Sequence, residues 1–113
     1  MPQEQAREQA GADKRKHPRI ELPKGMPVAW QGGSRREVSR VSSLSLGGIF
    51  ITTPQPPPAG TPLKLVIEIP GGDVRARGYV VYVQPGKGMG VQFRGMVGNE
   101  RALLAQLLKR LLR

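Results

Sequence analysis

From Met26 onward the chain alternates apolar and polar positions with a period of two, the pattern of strands that set one face on a core. Met26, Val28 and Trp30 alternate with Pro27, Ala29 and Gln31, and Gly32-Gly33-Ser34 ends that run as a turn. Arg35 to Ser42 reads as a second strand with Val38 and Val41 as its apolar members, and their spacing breaks the alternation as a bulge does. Gly48 to Thr53 is short and β-branched, a strong strand signal. The alternation is clean in Leu63, Leu65, Ile67 and Ile69, after which Pro70-Gly71-Gly72-Asp73 predicts a tight hairpin. Strands from Val74 to Val83 and from Met89 to Phe93 follow, divided by a turn at Pro85-Gly86-Lys87-Gly88.

The period changes after Asn99, a residue suited to cap a helix N-terminus. Leucines at 103, 104, 107, 108, 111 and 112 then form a helical stripe, with Lys109, Arg110 and Arg113 in the last turns, where the helix dipole favours cations. Pro54 to Gly60 fits neither period. Its prolines fix φ and remove donors, which predicts a stiff connection. Residues 1–13 lack an apolar face and read as a disordered tail, and residues 14–24 as a flexible basic arm. The expected fold is all-β: a six-stranded antiparallel β-barrel over residues 25–97 with a C-terminal helix over 98–113.

Size and charge narrow the classes. A chain of 113 residues with 38% apolar content supports one domain, here residues 14–113. The net charge is +10, and residues 25–113 alone hold twelve Lys and Arg against four Asp and Glu, which favours anionic partners. With no Cys and only His17, disulfides, thiolate or multi-histidine metal sites and Cys/His nucleophiles are excluded. Paired carboxylates at useful spacing and a phosphate loop are absent as well, so neither an enzyme nor a metal or cofactor is expected. The N-terminus carries no signal-like apolar stretch and no run reaches the length of a membrane span, so the expectation is a cytoplasmic protein.

Two segments carry candidate chemistry. Arg15-Lys16-His17-Pro18-Arg19 holds two guanidinium groups four residues apart, and Pro18 favours an extended backbone at His17. A guanidinium can stack on a base, donate two bonds to guanine O6 and N7, and pair with phosphate. In Ser43-Leu44-Ser45-Leu46-Gly47-Gly48, two hydroxyls share one strand face and the glycine pair leaves room for close backbone approach. The two halves together suit an anionic, planar ligand such as a guanine nucleotide.

In this order, R-x-x-x-R followed by S-x-S-x-x-G resembles the PilZ domain, whose second motif is [DN]-x-S-x-x-G and whose members bind cyclic di-GMP. Gly47 to Ile51, Gly78 to Val81 and Gly88 to Phe93 are similar to later strands of that family, so the resemblance covers roughly residues 14–112. It implies a single-domain second-messenger receptor or adaptor, with the ligand taken as a monomer or a stacked dimer. Arg15 and Arg19 would clamp guanine and phosphate, and Ser43, Ser45, Gly47 and Gly48 would line the barrel face. The arm would fold over the ligand and present a changed surface to a protein effector. Ser43 departs from the pattern: where the family has Asp or Asn, this chain offers a shorter, uncharged acceptor. A PilZ-like interaction module without ligand therefore stays open. So does a nucleic-acid-binding barrel, with Arg35, Arg36, Arg40, Arg75, Arg77 and Arg94 as a basic stripe. The leucine stripe is expected to pack on the barrel, and its width leaves open a homodimer through the helix or binding to a membrane surface.

Overall fold

The computed structural model describes residues 19–111. Arg15, His17, Leu112 and the tail through residue 13 lie outside the described residues. Six strands, β1 (Ile20–Gly32), β2 (Arg35–Leu44), β3 (Gly48–Thr52), β4 (Pro62–Ile69), β5 (Gly72–Gln84) and β6 (Gly88–Met96), precede one helix, α1 (Gly98–Leu111). The strands close a barrel in the order β1-β2-β3-β6-β5-β4, and every neighbouring pair is antiparallel. Closure leaves no free strand edge.

The alternation selects the core. β4 buries Leu63, Leu65, Ile67 and Ile69 and exposes every residue between them. These meet Val28, Trp30, Val41, Leu44, Ile49, Ile51, Val74, Val80, Met89 and Val91 inside the barrel. In β2 the irregular spacing is resolved by an extra residue, Ser42, between the pairs Val41↔Ile51 and Ser43↔Phe50. The bulge lets Val41 and Leu44, three apart, both reach the core. Val38, expected among the apolar members that build the strand, instead stands on the outer face, 77% exposed.

One element boundary and one helix cap differ from the sequence expectation. β1 begins at Ile20, so the end of the basic arm is already strand, paired with the far end of β2. The helix begins at Gly98, and the carbonyl of Val97 accepts bonds from the N–H groups of Glu100 (3.0 Å) and Arg101 (2.9 Å). Asn99 is thus inside the first turn instead of capping it.

The helix closes one end of the barrel by burying Leu104, Leu107 and Leu108, with Leu103 packed alongside. Most of the stripe is therefore used within the chain, and Leu111 is exposed. Among the described residues no helix is long and apolar enough to cross a membrane. Glu100, only 3% exposed, ties the helix to β5. Its carboxylate accepts from the Arg75 backbone N–H (2.6 Å), Nε (3.2 Å) and Nη2 (2.6 Å). β6 pairs with β5 only from Ala76 onward, which leaves that N–H to the helix.

At the opposite end, Glu37 accepts from Arg35, Thr53 Oγ1 (3.2 Å) and Ser39 Oγ (3.4 Å), while Trp30 Nε1 donates to Ser39 Oγ (3.0 Å). Arg35 also donates to the Gln55 carbonyl (2.6 Å), fixing the proline-rich connection against the β1–β2 turn.

Candidate functional site

Strand pairing brings the chain that follows Arg19 beside the serine-glycine segment. Ile20 lies opposite Leu44 and Glu21 opposite Ser43, and Arg19, exposed, immediately precedes this paired stretch. β1 then advances five residues, from Glu21 to Met26, while β2 passes only two, from Ser43 to Val41. The extra chain, Leu22 to Gly25, makes an excursion from the ladder, with Leu22 packed against the core and the Lys24 carbonyl accepting from Arg40 Nη1 (3.3 Å). This excursion separates the site end of β1 from the rest of the strand.

The serine-glycine segment divides into a strand residue and a turn. Ser43 is in β2 and faces outward, because its partner Phe50 lies between the core residues Ile49 and Ile51. It is nevertheless only 5% exposed. Ser45 is past the strand end, in the turn to β3. Its hydroxyl accepts from the N–H groups of Gly47 (3.2 Å) and Gly48 (3.0 Å) and donates to the Gly48 carbonyl (3.1 Å). The Ser45 N–H also meets the Gly48 carbonyl (2.9 Å), and the Gly47 carbonyl accepts from Phe93 N–H (2.9 Å). The Ser45 hydroxyl and the N–H groups of Ser45, Gly47 and Gly48 are thus committed to the turn, and the Gly47 carbonyl to β6.

Gly48 has a packing reason of its own. A Cβ there would run into the backbone carbonyl of Val91, so glycine is what allows β3 to pair with β6 at this point. The backbone approach expected from the glycine pair is made by a neighbouring strand.

Laterally, Glu21, Ser43, Phe50, Gly90 and Tyr82 form one row across β1, β2, β3, β6 and β5. Phe50 and Tyr82 stack in a tilted pair, with ring centroids 6.1 Å apart and 33° between planes. Tyr82 lies over Gly90, where any side chain would collide with its ring. Two residues along, Gly48, Gln92 and Tyr79 form a parallel row, and the Arg94 guanidinium sits 5.1 Å from the Tyr79 ring centroid. Among the aromatics Trp30 is in the core, whereas Phe50, Tyr79 and Tyr82 are on or near this outer face, and neither they nor Glu21 were among the residues expected at the site. Phe50 could have been found from its position between two buried isoleucines.

Comparison with known proteins identifies the fold and the family. The PilZ domain family model matches residues 13–110. None of the curated proteins matches the sequence. Among solved structures, Bacillus subtilis MotI/DgrA, an inhibitor of motility, superposes with a TM-score of 0.72 at 19% identity, covering 87% of this chain and 51% of that one. The PilZ domain of Escherichia coli YcgR, solved with c-di-GMP, gives a TM-score of 0.71 at 13% identity, covering 89% of this chain and 93% of that one. The MrkH–c-di-GMP complex from Klebsiella gives 0.72 at 16% identity, covering 87% and 51%. The chain thus spans about half the length of MotI and MrkH. With the barrel order, the helix closing its end and the family match over nearly the whole chain, the protein belongs to the PilZ domain family.

Proposed function

We propose that this domain is a cyclic di-GMP receptor that binds the dinucleotide where β1 enters the barrel beside the β2–β3 turn. The observation that carries the reading is the pairing of Glu21 with Ser43, each two residues in sequence from a motif residue, Arg19 and Ser45. Arg19, with Arg15 on the preceding segment, supplies guanidinium groups for guanine and phosphate. Ser45, Gly47 and Gly48 act by holding the turn in shape, and Ser43, 5% exposed, lies beneath the site on the adjoining strand end.

The missing Asp or Asn has a neighbour able to replace it. Glu21 lies directly across from Ser43 on the same outer face and is exposed, so it brings a carboxylate to the place where the second motif lacks one. A guanine edge offers N–H donors, and a carboxylate accepting them makes a charge-assisted bond of about 1.5–3 kcal/mol. Titration calorimetry with cyclic di-GMP tests the reading: heat and saturation are expected, and no binding at millimolar ligand overturns it. Glu21→Ala should weaken binding roughly 10–100-fold. Ser43→Asp should add little, because it sets a second carboxylate directly opposite the first. A strong gain from Ser43→Asp would show that Glu21 does not compensate.

A second reading, an interaction module without ligand, is favoured by Ser43 itself and by the turn's use of its own polar groups. The same titration separates the two.

A further inference from the structure

The outer face of β2, β1, β4 and β5 departs from the usual polar exterior of a barrel. Val38, Ala29 and Val66 lie side by side across three strands, directly opposite one another in register. Val38 is 77% exposed and Val66 37%, and Val97, 58% exposed, borders the same hollow. The hollow has a volume of about 890 Å³ and is open along its length. Two residues along, the next row reads Arg36, Gln31, Lys64, Arg77. Lys64 and Arg77 are directly opposite, a like-charge pairing that disfavours the sheet. Among the described residues neither has a carboxylate partner, whereas Arg75 and Arg35 on the same barrel are paired with Glu100 and Glu37.

We infer that this face docks an acidic amphipathic helix of a partner protein, its apolar side on Val38, Ala29 and Val66 and its carboxylates on Arg36, Lys64 and Arg77. Three observations select that occupant. The barrel has no free edge, so a partner cannot add a strand and has to dock through side chains. Four strands at about 4.8 Å spacing span roughly 15 Å, wide enough for a helix about 10–12 Å across. Arg36, Lys64 and Arg77 sit together on one side of the apolar row, with Arg40 alone across it on β2, so the three meet acidic residues flanking one edge of an apolar stripe. The inference rests on the reading that the domain reports to a protein effector, and it places that contact on strands distinct from the β2–β3 turn.

The test uses the isotope-labelled full chain and an 18-residue peptide, helical, with Leu on one face and Glu flanking it, followed by amide chemical shifts. Saturable shifts at Ala29, Val38, Val66 and Val97 are expected. A peptide with Lys in place of Glu should bind at least tenfold more weakly, and so should the acidic peptide to Lys64→Glu/Arg77→Glu and to Val38→Ser/Val66→Ser. All four side chains are exposed, so a dispersed spectrum confirms the variants' fold. Several outcomes overturn the proposal: no shifts at this face with millimolar peptide, equal binding of the Lys peptide, or variants that bind normally. Tighter binding of an oligothymidine here assigns the face to nucleic acid, and concentration-dependent shifts without peptide assign it to a second copy; either result overturns it too. Cyclic di-GMP is titrated separately and read at Ser43 to Gly48, so failure of ligand binding is distinguishable from failure of docking.

Discussion

Ser45 has one hydroxyl hydrogen and two lone-pair directions, and backbone atoms of its own turn take all three. Removing the oxygen leaves the N–H groups of Gly47 and Gly48 without their acceptor, at a cost of about 1–3 kcal/mol. Ser45→Ala should therefore lower the thermal midpoint and weaken the ligand together, as a loosened turn would. Loss of affinity with an unchanged midpoint would instead make Ser45 a direct contact. Phe50 gives the complementary case. It is on the outer face in the row of Ser43, with Tyr82 beside it, so a base entering from the turn meets an aromatic surface. Base–aromatic stacking contributes about 1–3 kcal/mol, and Phe50→Ala should cost binding that much by calorimetry. Unchanged affinity would show that the ligand does not reach β3. The turn was partly legible in the sequence, since serine before a glycine pair is a turn former. Its use of the hydroxyls was not, because hydrogen-bond partners depend on how the backbone folds back.

Alternation made β4 legible, and it hid the start of β1. Ile20 and Leu22 are the apolar positions there, but Pro23, Lys24 and Gly25 follow and interrupt the pattern. The segment is strand because β2 extends far enough to pair with it, a long-range fact that no local window contains. The helix was visible from its leucines, whereas its fastening to the barrel was not: Arg75 and Glu100 are on different elements and 25 residues apart. Bonds from the Arg75 guanidinium first, and from the Arg75 N–H second, hold the Glu100 carboxyl below its ordinary range. Glu37 is likewise lowered, chiefly by the bond from Arg35, against the opposing effect of burial. A carboxyl with a depressed folded value contributes stability above its unfolded value, about 4.3, and loses it as pH falls through the folded value. The thermal midpoint should thus vary little with these groups between pH 7 and 5 and decline below about pH 4.3. Glu100→Gln should lower the midpoint at pH 7 and flatten the acid decline, and an unaltered slope would rule out this carboxyl as its source. Leu104, fully buried between helix and barrel, should cost about 2–5 kcal/mol as Leu104→Ala in denaturant melts.

At the scale of the whole molecule, hydrophobic periodicity says which side chains point inward but not which strands are neighbours. The β4–β5 hairpin, visible in the sequence, sets Lys64 across from Arg77 without a register shift, whereas the pairing of Glu21 with Ser43 lies beyond an irregularity in the β1–β2 register and was not readable from spacing. One strand serves both faces: β1 carries Glu21 at the site and, past its register shift, Ala29 on the apolar row. Because β1 is integral to a closed barrel, a ligand held at its start adds its binding free energy to the stability of the folded domain. At a ligand concentration a hundred times the dissociation constant that addition is about 2.7 kcal/mol. For a folded unit of this size each kcal/mol raises the midpoint by roughly 4–8 °C, so cyclic di-GMP should shift it upward by about 10–20 °C. Arg19 immediately precedes β1 and is exposed, so Arg19→Ala should leave the midpoint of the free protein nearly unchanged. At the same ligand concentration it should abolish most of the shift, since truncating an anchoring arginine typically costs about 2 kcal/mol or more of binding. Equal shifts for the two proteins would mean that ligand is held without Arg19, and a lower midpoint for the free variant would mean that the residue serves the fold instead.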